Sequence, residues 1–204
     1  LAATTPFDVN FSTDMGETWS KFANRAGHQH ANLVVNLDGK LFWSTQWGSA
    51  NQPPALFFSD DCASSFDSLT IPGTDTQWYL SSDGAHLIAN YDSPEYWMFT
   101  DSGSSRTQIL RPSAIECDTD PIMMVVGNAI YATSCDNTEL LRTYDFGQTW
   151  TNVGSGLPFD RVCYLENLGG RLFATFADDI YQAISGDSLW VPSKIGIPSN
   201  SGPF

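Results

Sequence analysis

Short apolar runs, with no helical stripes among them, organise this chain. Leu41-Phe42-Trp43-Ser44-Thr45, Leu87-Ile88-Ala89-Asn90-Tyr91, Ile130-Tyr131-Ala132-Thr133-Ser134 and Leu172-Phe173-Ala174-Thr175-Phe176 read as one strand written four times, and Leu1-Ala2-Ala3-Thr4-Thr5 reads as a fifth copy. The starts of these runs lie 40, 46, 43 and 42 residues apart. The later four each follow a turn dipeptide: Asp38-Gly39, Asp83-Gly84, Gly127-Asn128 or Gly169-Gly170. Such dipeptides between apolar runs predict tight hairpins. Ahead of one turn stands Ile122-Met123-Met124-Val125-Val126, apolar at every position, as suits a strand buried on both faces.

A second repeat interlocks with the first. Ser12-Thr13-Asp14-Met15-Gly16-Glu17-Thr18-Trp19 returns as Thr143-Tyr144-Asp145-Phe146-Gly147-Gln148-Thr149-Trp150. Degraded copies follow the same outline. One keeps Ser59, Asp61 and Phe66, another keeps Asp101 and Gly103 with Arg106 in the aromatic position, and a third keeps little beyond Trp190. The last positions, Trp19, Phe66, Arg106, Trp150 and Trp190, are 47, 40, 44 and 40 residues apart. The chemistry predicts a turn: the Asp carboxylate accepts backbone N–H groups, Gly16 and Gly147 supply a conformation that a Cβ penalises, and Thr18 or Thr149 with the Trp begins the returning strand. The indole is expected to pack down as an apolar plug. These residues are therefore read as structural.

The pattern resembles the Asp-box, or BNR, repeat of sialidase-like propeller proteins. That resemblance, and a repeat period of four-stranded blades, imply an all-β fold: a β-propeller of about five four-stranded blades. The expected units are 1–27, 28–72, 73–114, 115–156 and 157–198 within one domain, 1–204. In the fourth unit the strands are expected at Pro121 to Val126, Ala129 to Ser134, Glu139 to Thr143 and Gln148 to Val153. The first unit starts in its second strand, so the ring is expected to close by shared strands or to form part of a larger propeller.

Charge then narrows the partners. With 23 Asp plus Glu against 9 Lys plus Arg, the formal net charge is −14. A phosphate backbone needs a basic surface, so nucleic acid is excluded. No window of 18 consecutive apolar residues predicts a membrane span. Scarce lysine and abundant Ser, Thr and Asn suggest a secreted, extracellular or periplasmic protein. Of the four cysteines, Cys62, Cys117, Cys135 and Cys163, the hairpin about Gly127-Asn128 brings Cys117 and Cys135 to the same side, predicting a disulfide.

Candidate chemistry is sparse. Sialidases of the resembled superfamily hold a substrate carboxylate with three arginines, yet Arg25, Arg106, Arg111, Arg142, Arg161 and Arg171 occupy differing repeat positions and form no trio. His28 and His30 share one face of an extended segment, but no third metal ligand lies near. Asp118 and Asp120 leave calcium as an option, with no other cofactor or metal called for. The long loop carrying Gln46, Trp47 and Asn51 offers an exposed indole beside amides, suited to stacking on a sugar. The binding residues so proposed are Trp47, Gln46, Asn51, His28 and His30. The reading is a non-catalytic binding module for a glycan or an extracellular protein. Its alternatives are part of a glycoside hydrolase and a self-associating scaffold.

Overall fold

Among the described residues, nineteen strands form five antiparallel sheets laid side by side. The structure, a computed structural model, describes residues 2–4, 9–12, 14–22, 31–45, 56–61, 65, 67–69, 79–91, 95–112, 122–134, 139–158, 162, 164–168, 171–176, 179–184 and 188–193. Sheet 1 holds β1 (Ala2–Thr4), β2 (Val9–Phe11) and β3 (Ser20–Phe22). Sheet 2 holds β4 (Ala31–Leu37), β5 (Lys40–Thr45), β6 (Leu56–Ser59) and β7 (Asp67–Leu69). Sheet 3 holds β8 (Tyr79–Ser82), β9 (Leu87–Tyr91), β10 (Glu95–Thr100) and β11 (Ser105–Ile109). Sheet 4 holds β12 (Met123–Val126), β13 (Ala129–Thr133), β14 (Leu140–Thr143) and β15 (Thr151–Asn152). Sheet 5 holds β16 (Tyr164–Leu168), β17 (Arg171–Thr175), β18 (Ile180–Ile184) and β19 (Leu189–Pro192).

Strands follow chain order within every sheet, each pairing with the next. The first strands of successive four-stranded sheets lie side by side, β4 against β8, β8 against β12 and β12 against β16, while β1 lies against β4. This is the blade arrangement of a β-propeller, with four four-stranded blades and one three-stranded sheet among the described residues.

Why the strands are apolar throughout is visible in β13. Ile130 and Ala132 join the cluster between blades 3 and 4, with Ile88, Tyr96 and Met98. Ala129 and Tyr131 point the opposite way, into the cluster between blades 4 and 5, with Leu165, Ala174 and Trp190. Side chains alternate at period two, and both faces meet a neighbouring blade, so no polar face is needed. Blades 2 and 3 meet through Leu37, Phe42, Leu56, Leu80, Leu87, Ala89 and Phe99.

Two of the first-to-second-strand turns obey their dipeptides, but the tight turn expected at Asp83-Gly84 is a four-residue loop: Ser82 pairs with Leu87 across residues 83–86, and the Asp83 carboxylate accepts the Ala85 and His86 amides. Leu37 pairs with Lys40 across Asp38-Gly39, which take φ of 50° and 82°. Both central residues are left-handed, as the tightest right-twisting hairpin demands. Val126 pairs with Ala129 across Gly127-Asn128. The turn expected at Gly169-Gly170 lies outside the described residues.

One strand is much shorter than its sequence implied. The fourth strand of blade 4 was expected from Gln148 to Val153 but spans only Thr151–Asn152. The amide and hydroxyl of Thr149 are held by Asp145, which keeps residues 148–150 in the turn.

Candidate interaction surface

Three box turns share one hydrogen-bond pattern. The hydroxyl of Ser12 donates to Oδ1 of Asp14 at 2.7 Å, and the amide of Thr18 donates to the same oxygen at 2.9 Å, while the Thr18 hydroxyl donates to Oδ2. Ser59, Asp61 and Ser65 repeat this at 2.8, 2.8 and 2.7 Å. Thr143, Asp145 and Thr149 repeat it at 2.6, 2.9 and 2.7 Å. Hydrogen bonding to the charged form is also what lowers the carboxyl pKa values. The hydroxyls of Thr143 and Thr149, with the Thr149 amide, bring Asp145 from 3.8 to about 2. The Thr18 hydroxyl and amide, with the Ser12 hydroxyl, hold Asp14 well below the usual carboxylate range.

The third copy departs from the pattern. Asp101 itself is left-handed at φ 51°, followed by Ser102 at 55° and Gly103 at 89°, in a short 3-10 turn. Its carboxylate accepts the Thr100 hydroxyl at 3.4 Å, and the hairpin closes through Thr100 paired with Ser105. Rotating the Asp backbone turns its side chain away from the amides downstream, so Asp101 does not staple its turn as Asp145 does. The Arg106 guanidinium lies 5.1 Å over the Trp97 ring of the same blade.

Two of the box Trp residues pack against apolar clusters and add a hydrogen bond between blades. Trp190 is buried and donates its indole N–H to the Val153 carbonyl at 2.8 Å. Trp150 donates to the Leu110 carbonyl at 3.2 Å. Leu110 and Val153 are each the first residue after the last strand of the preceding blade, so the same bond is made twice from blade to blade. Trp19 is 46% exposed and donates to Gly16 O of its own turn at 3.1 Å.

Further bonds tie the blades along the same edge. Phe146 O accepts the Leu110 amide at 2.8 Å, and a Cβ on Gly147 would overlap the Leu110 carbonyl oxygen. Asp38 accepts the Ser102 amide at 2.9 Å, from blade 2 to blade 3. Asp83 accepts the Gly127 amide at 2.6 Å, from blade 3 to blade 4, and meets His86 Nδ1 at 3.1 Å. Burial pushes the Asp83 carboxyl up, but the Ala85, His86 and Gly127 amides and the His86 ring outweigh it, and the net direction is down.

On this fixed edge sits an apolar patch the sequence reading missed. Leu110 is 49% exposed, Tyr144 56% and Phe146 37%; the Leu110 amide meets Phe146 O at the seam between blades 3 and 4, and Tyr144 stands two residues before Phe146 in the same turn, stacked with Arg142, which shares a face with Tyr131. The Arg142 guanidinium lies 4.8 Å over the Tyr144 ring. Phe146 holds φ 58°, and Met15, at the same box position, holds 61° with its side chain exposed. The signal was present: both intact boxes place a large apolar residue, Met15 or Phe146, between Asp and Gly, where a turn alone needs none.

Trp47, Gln46, Asn51, His28, His30, Phe66, Cys117 and Cys135 lie outside the described residues. Among the described residues, no three His, Cys, Asp or Glu side chains gather to hold a metal ion, and no helix is long and apolar enough to cross a membrane. Arg111 lies 5.3 Å over Tyr96, so Arg106, Arg111 and Arg142 are each stacked on a separate ring.

The class that this fold defines is the β-propeller. Among solved structures, YCF48 from Cyanidioschyzon merolae superposes with a TM-score of 0.58 at 11% identity, over 83% of this chain and 57% of its own. YCF48 bound to D1 peptide superposes with a TM-score of 0.54 at 16% identity, over 81% of this chain and 53% of its own. At these identities the likeness is one of fold, and this chain spans a little over half the length of either neighbour. No family model matches the sequence, and no curated protein matches it.

Proposed function

We propose that this chain is an Asp-box propeller that binds a segment of another protein and catalyses no reaction. The observation that carries the reading is the set of exposed apolar side chains about one box turn, Tyr144 and Phe146 within it and Leu110 bonded to it, on an edge tied from blade to blade by backbone and indole hydrogen bonds. Large apolar side chains held rigidly in water are a binding surface in waiting, because little ordering entropy remains to be lost. Arg142 beside Tyr144 adds a cation to the aromatic edge, a pairing enriched at protein interfaces. One structure similar in fold holds a D1 peptide, which supports a peptide-binding use of such a propeller. The three shared box turns support the Asp-box assignment.

The test is selection of peptides from a random displayed library on the purified protein, followed by comparison with Tyr144→Ser. Selected peptides should lose affinity for that variant. Peptides that bind both equally, and lose affinity instead for Trp47→Ala, would move the site to the segment that carries Trp47.

A glycan reading rests on the Gln46-Trp47-Asn51 loop, whose composition suits sugar stacking. A glycan array with wild type and Trp47→Ala tests it. Secretion is part of the proposal, supported by the scarcity of lysine and by the Cys117 and Cys135 positions flanking one hairpin. Non-reducing peptide mapping that finds both thiols free would remove that support.

A further inference from the structure

The turn that carries Tyr144 and Phe146 belongs to an edge of one sign. Each strand runs antiparallel to the next, so the first-to-second and third-to-fourth connections of a blade leave its sheet at one edge and the second-to-third connection at the other. Contacts between blades keep these edges together: Asp38, in a first-to-second turn of blade 2, accepts the Ser102 amide in the box turn of blade 3, and Asp83 in blade 3 accepts the Gly127 amide of the corresponding turn in blade 4. The box turns add Asp14 and Glu17, Asp60 and Asp61, Asp101 and Asp145 to this edge. Among the described residues of all these connections there is no Lys or Arg.

Three cations on the adjoining strands are laid over rings of their own blades: Lys40 over Phe58, Arg106 over Trp97 and Arg142 over Tyr144. The tips of the turns are left to the carboxylates. Their charge is durable, because the Thr18 hydroxyl and amide hold Asp14, and the hydroxyls of Thr143 and Thr149 hold Asp145, below the usual carboxylate range. Tyr144 and Phe146, 56% and 37% exposed, flank Asp145 within this setting.

We propose that the protein segment docked on Tyr144 and Phe146 is a basic one, with apolar side chains against the two rings and Lys or Arg on either side facing the carboxylates of the neighbouring turns. This rests on the docking reading above and adds the partner's charge to it. The apolar side chains supply the contact, and charge complementarity selects what approaches it. An acidic segment would enter a chain of net charge −14 at the edge whose described turns offer it no cation, with Arg142 alone beside the rings, whereas a basic segment is drawn in. Exposed carboxylates spread over several turns act together only where screening is weak, since the Debye length is about 30 Å at about 0.01 M salt and about 8 Å at about 0.15 M.

Peptides selected from a random displayed library on the wild-type protein at near-physiological salt test this, with Tyr144→Ser showing which of them use the rings. Those lost on Tyr144→Ser should be rich in Lys and Arg, and should bind about tenfold or more tighter at about 0.01 M than at about 0.15 M salt. Asp60→Asn with Asp101→Asn, neither of which staples its turn, should weaken them by about threefold or more at the lower salt. Glu139→Gln with Asp179→Asn removes as much charge from exposed positions at the opposite edge and should have clearly less effect. Circular dichroism confirms that each variant is folded. Peptides that need Tyr144 yet are neutral or acidic, or that respond equally to the two double variants, overturn the proposal and leave the docking reading standing. Peptides indifferent to Tyr144→Ser overturn both.

Discussion

The indole nitrogen of Trp190 in blade 5 donates to the carbonyl oxygen of Val153 in blade 4 across 2.8 Å, in a buried seam. The box aromatic is thus a joint between repeats. A phenyl ring at this position keeps most of the apolar contact and leaves a buried carbonyl without its donor. Trp190→Phe should lower stability by about 1–3 kcal/mol, read as a urea midpoint with unchanged slope. Trp150, half-buried with a 3.2 Å bond to Leu110, should cost less on the same substitution. Equal losses at both positions, or none at Trp190, would count against the joint.

Gly147 and Gly84 separate two reasons for glycine. Both are left-handed, at φ 88° and 95°. A Cβ on Gly84 would meet nothing within 4 Å, whereas one on Gly147 would run into the Leu110 backbone. Gly84→Ala should therefore cost only the backbone strain, about 1–2 kcal/mol. Gly147→Ala should cost clearly more, because it also pushes blade 3 from blade 4. Thermal melts of the two variants side by side give the comparison, and a Gly147→Ala protein as stable as Gly84→Ala would show that the seam yields freely.

The folded-state pKa of Asp145, about 2, lies below its ordinary 3.8. A lowered carboxyl pKa contributes stability that is fully present above the unfolded value and is lost as pH falls through the folded one. The advantage of wild type over Asp145→Asn should accordingly be steady above about pH 5 and shrink between about pH 4 and pH 2. Urea midpoints of both proteins across that range measure it. A gap that stays constant down to the lowest pH would mean that the carboxylate charge plays no part in the turn.

Much of this was legible from the sequence, for a physical reason. Blade strands are buried on both faces and joined by tight turns, so they must be written as continuous apolar runs closed by Asp-Gly or Gly-Asn. Lys40 to Thr45 and Ile130 to Thr133 are such runs, and the period alone orders them into sheets. The box bonds were legible for a similar reason, since Asp145 and Thr149 interact within one turn. What lay beyond local chemistry was harder to see. The Trp190 indole bonds to a residue 37 positions earlier, a partner no turn rule supplies. Asp101 matches the box in composition, yet its own left-handed backbone turns the carboxylate aside. Leu110 reaches the box turn of Tyr144 and Phe146 from the neighbouring blade, so no single repeat displays the three together.

The central claim is that Tyr144, with Leu110 and Phe146, forms a pre-organised surface for a protein segment. Isothermal titration of a library-selected peptide into wild type and Tyr144→Ser tests it most directly. The account predicts a loss of about 1–3 kcal/mol in binding free energy, within the range for truncating an anchor, with the urea midpoint of the free protein unchanged. Undiminished affinity in a folded Tyr144→Ser protein would contradict it.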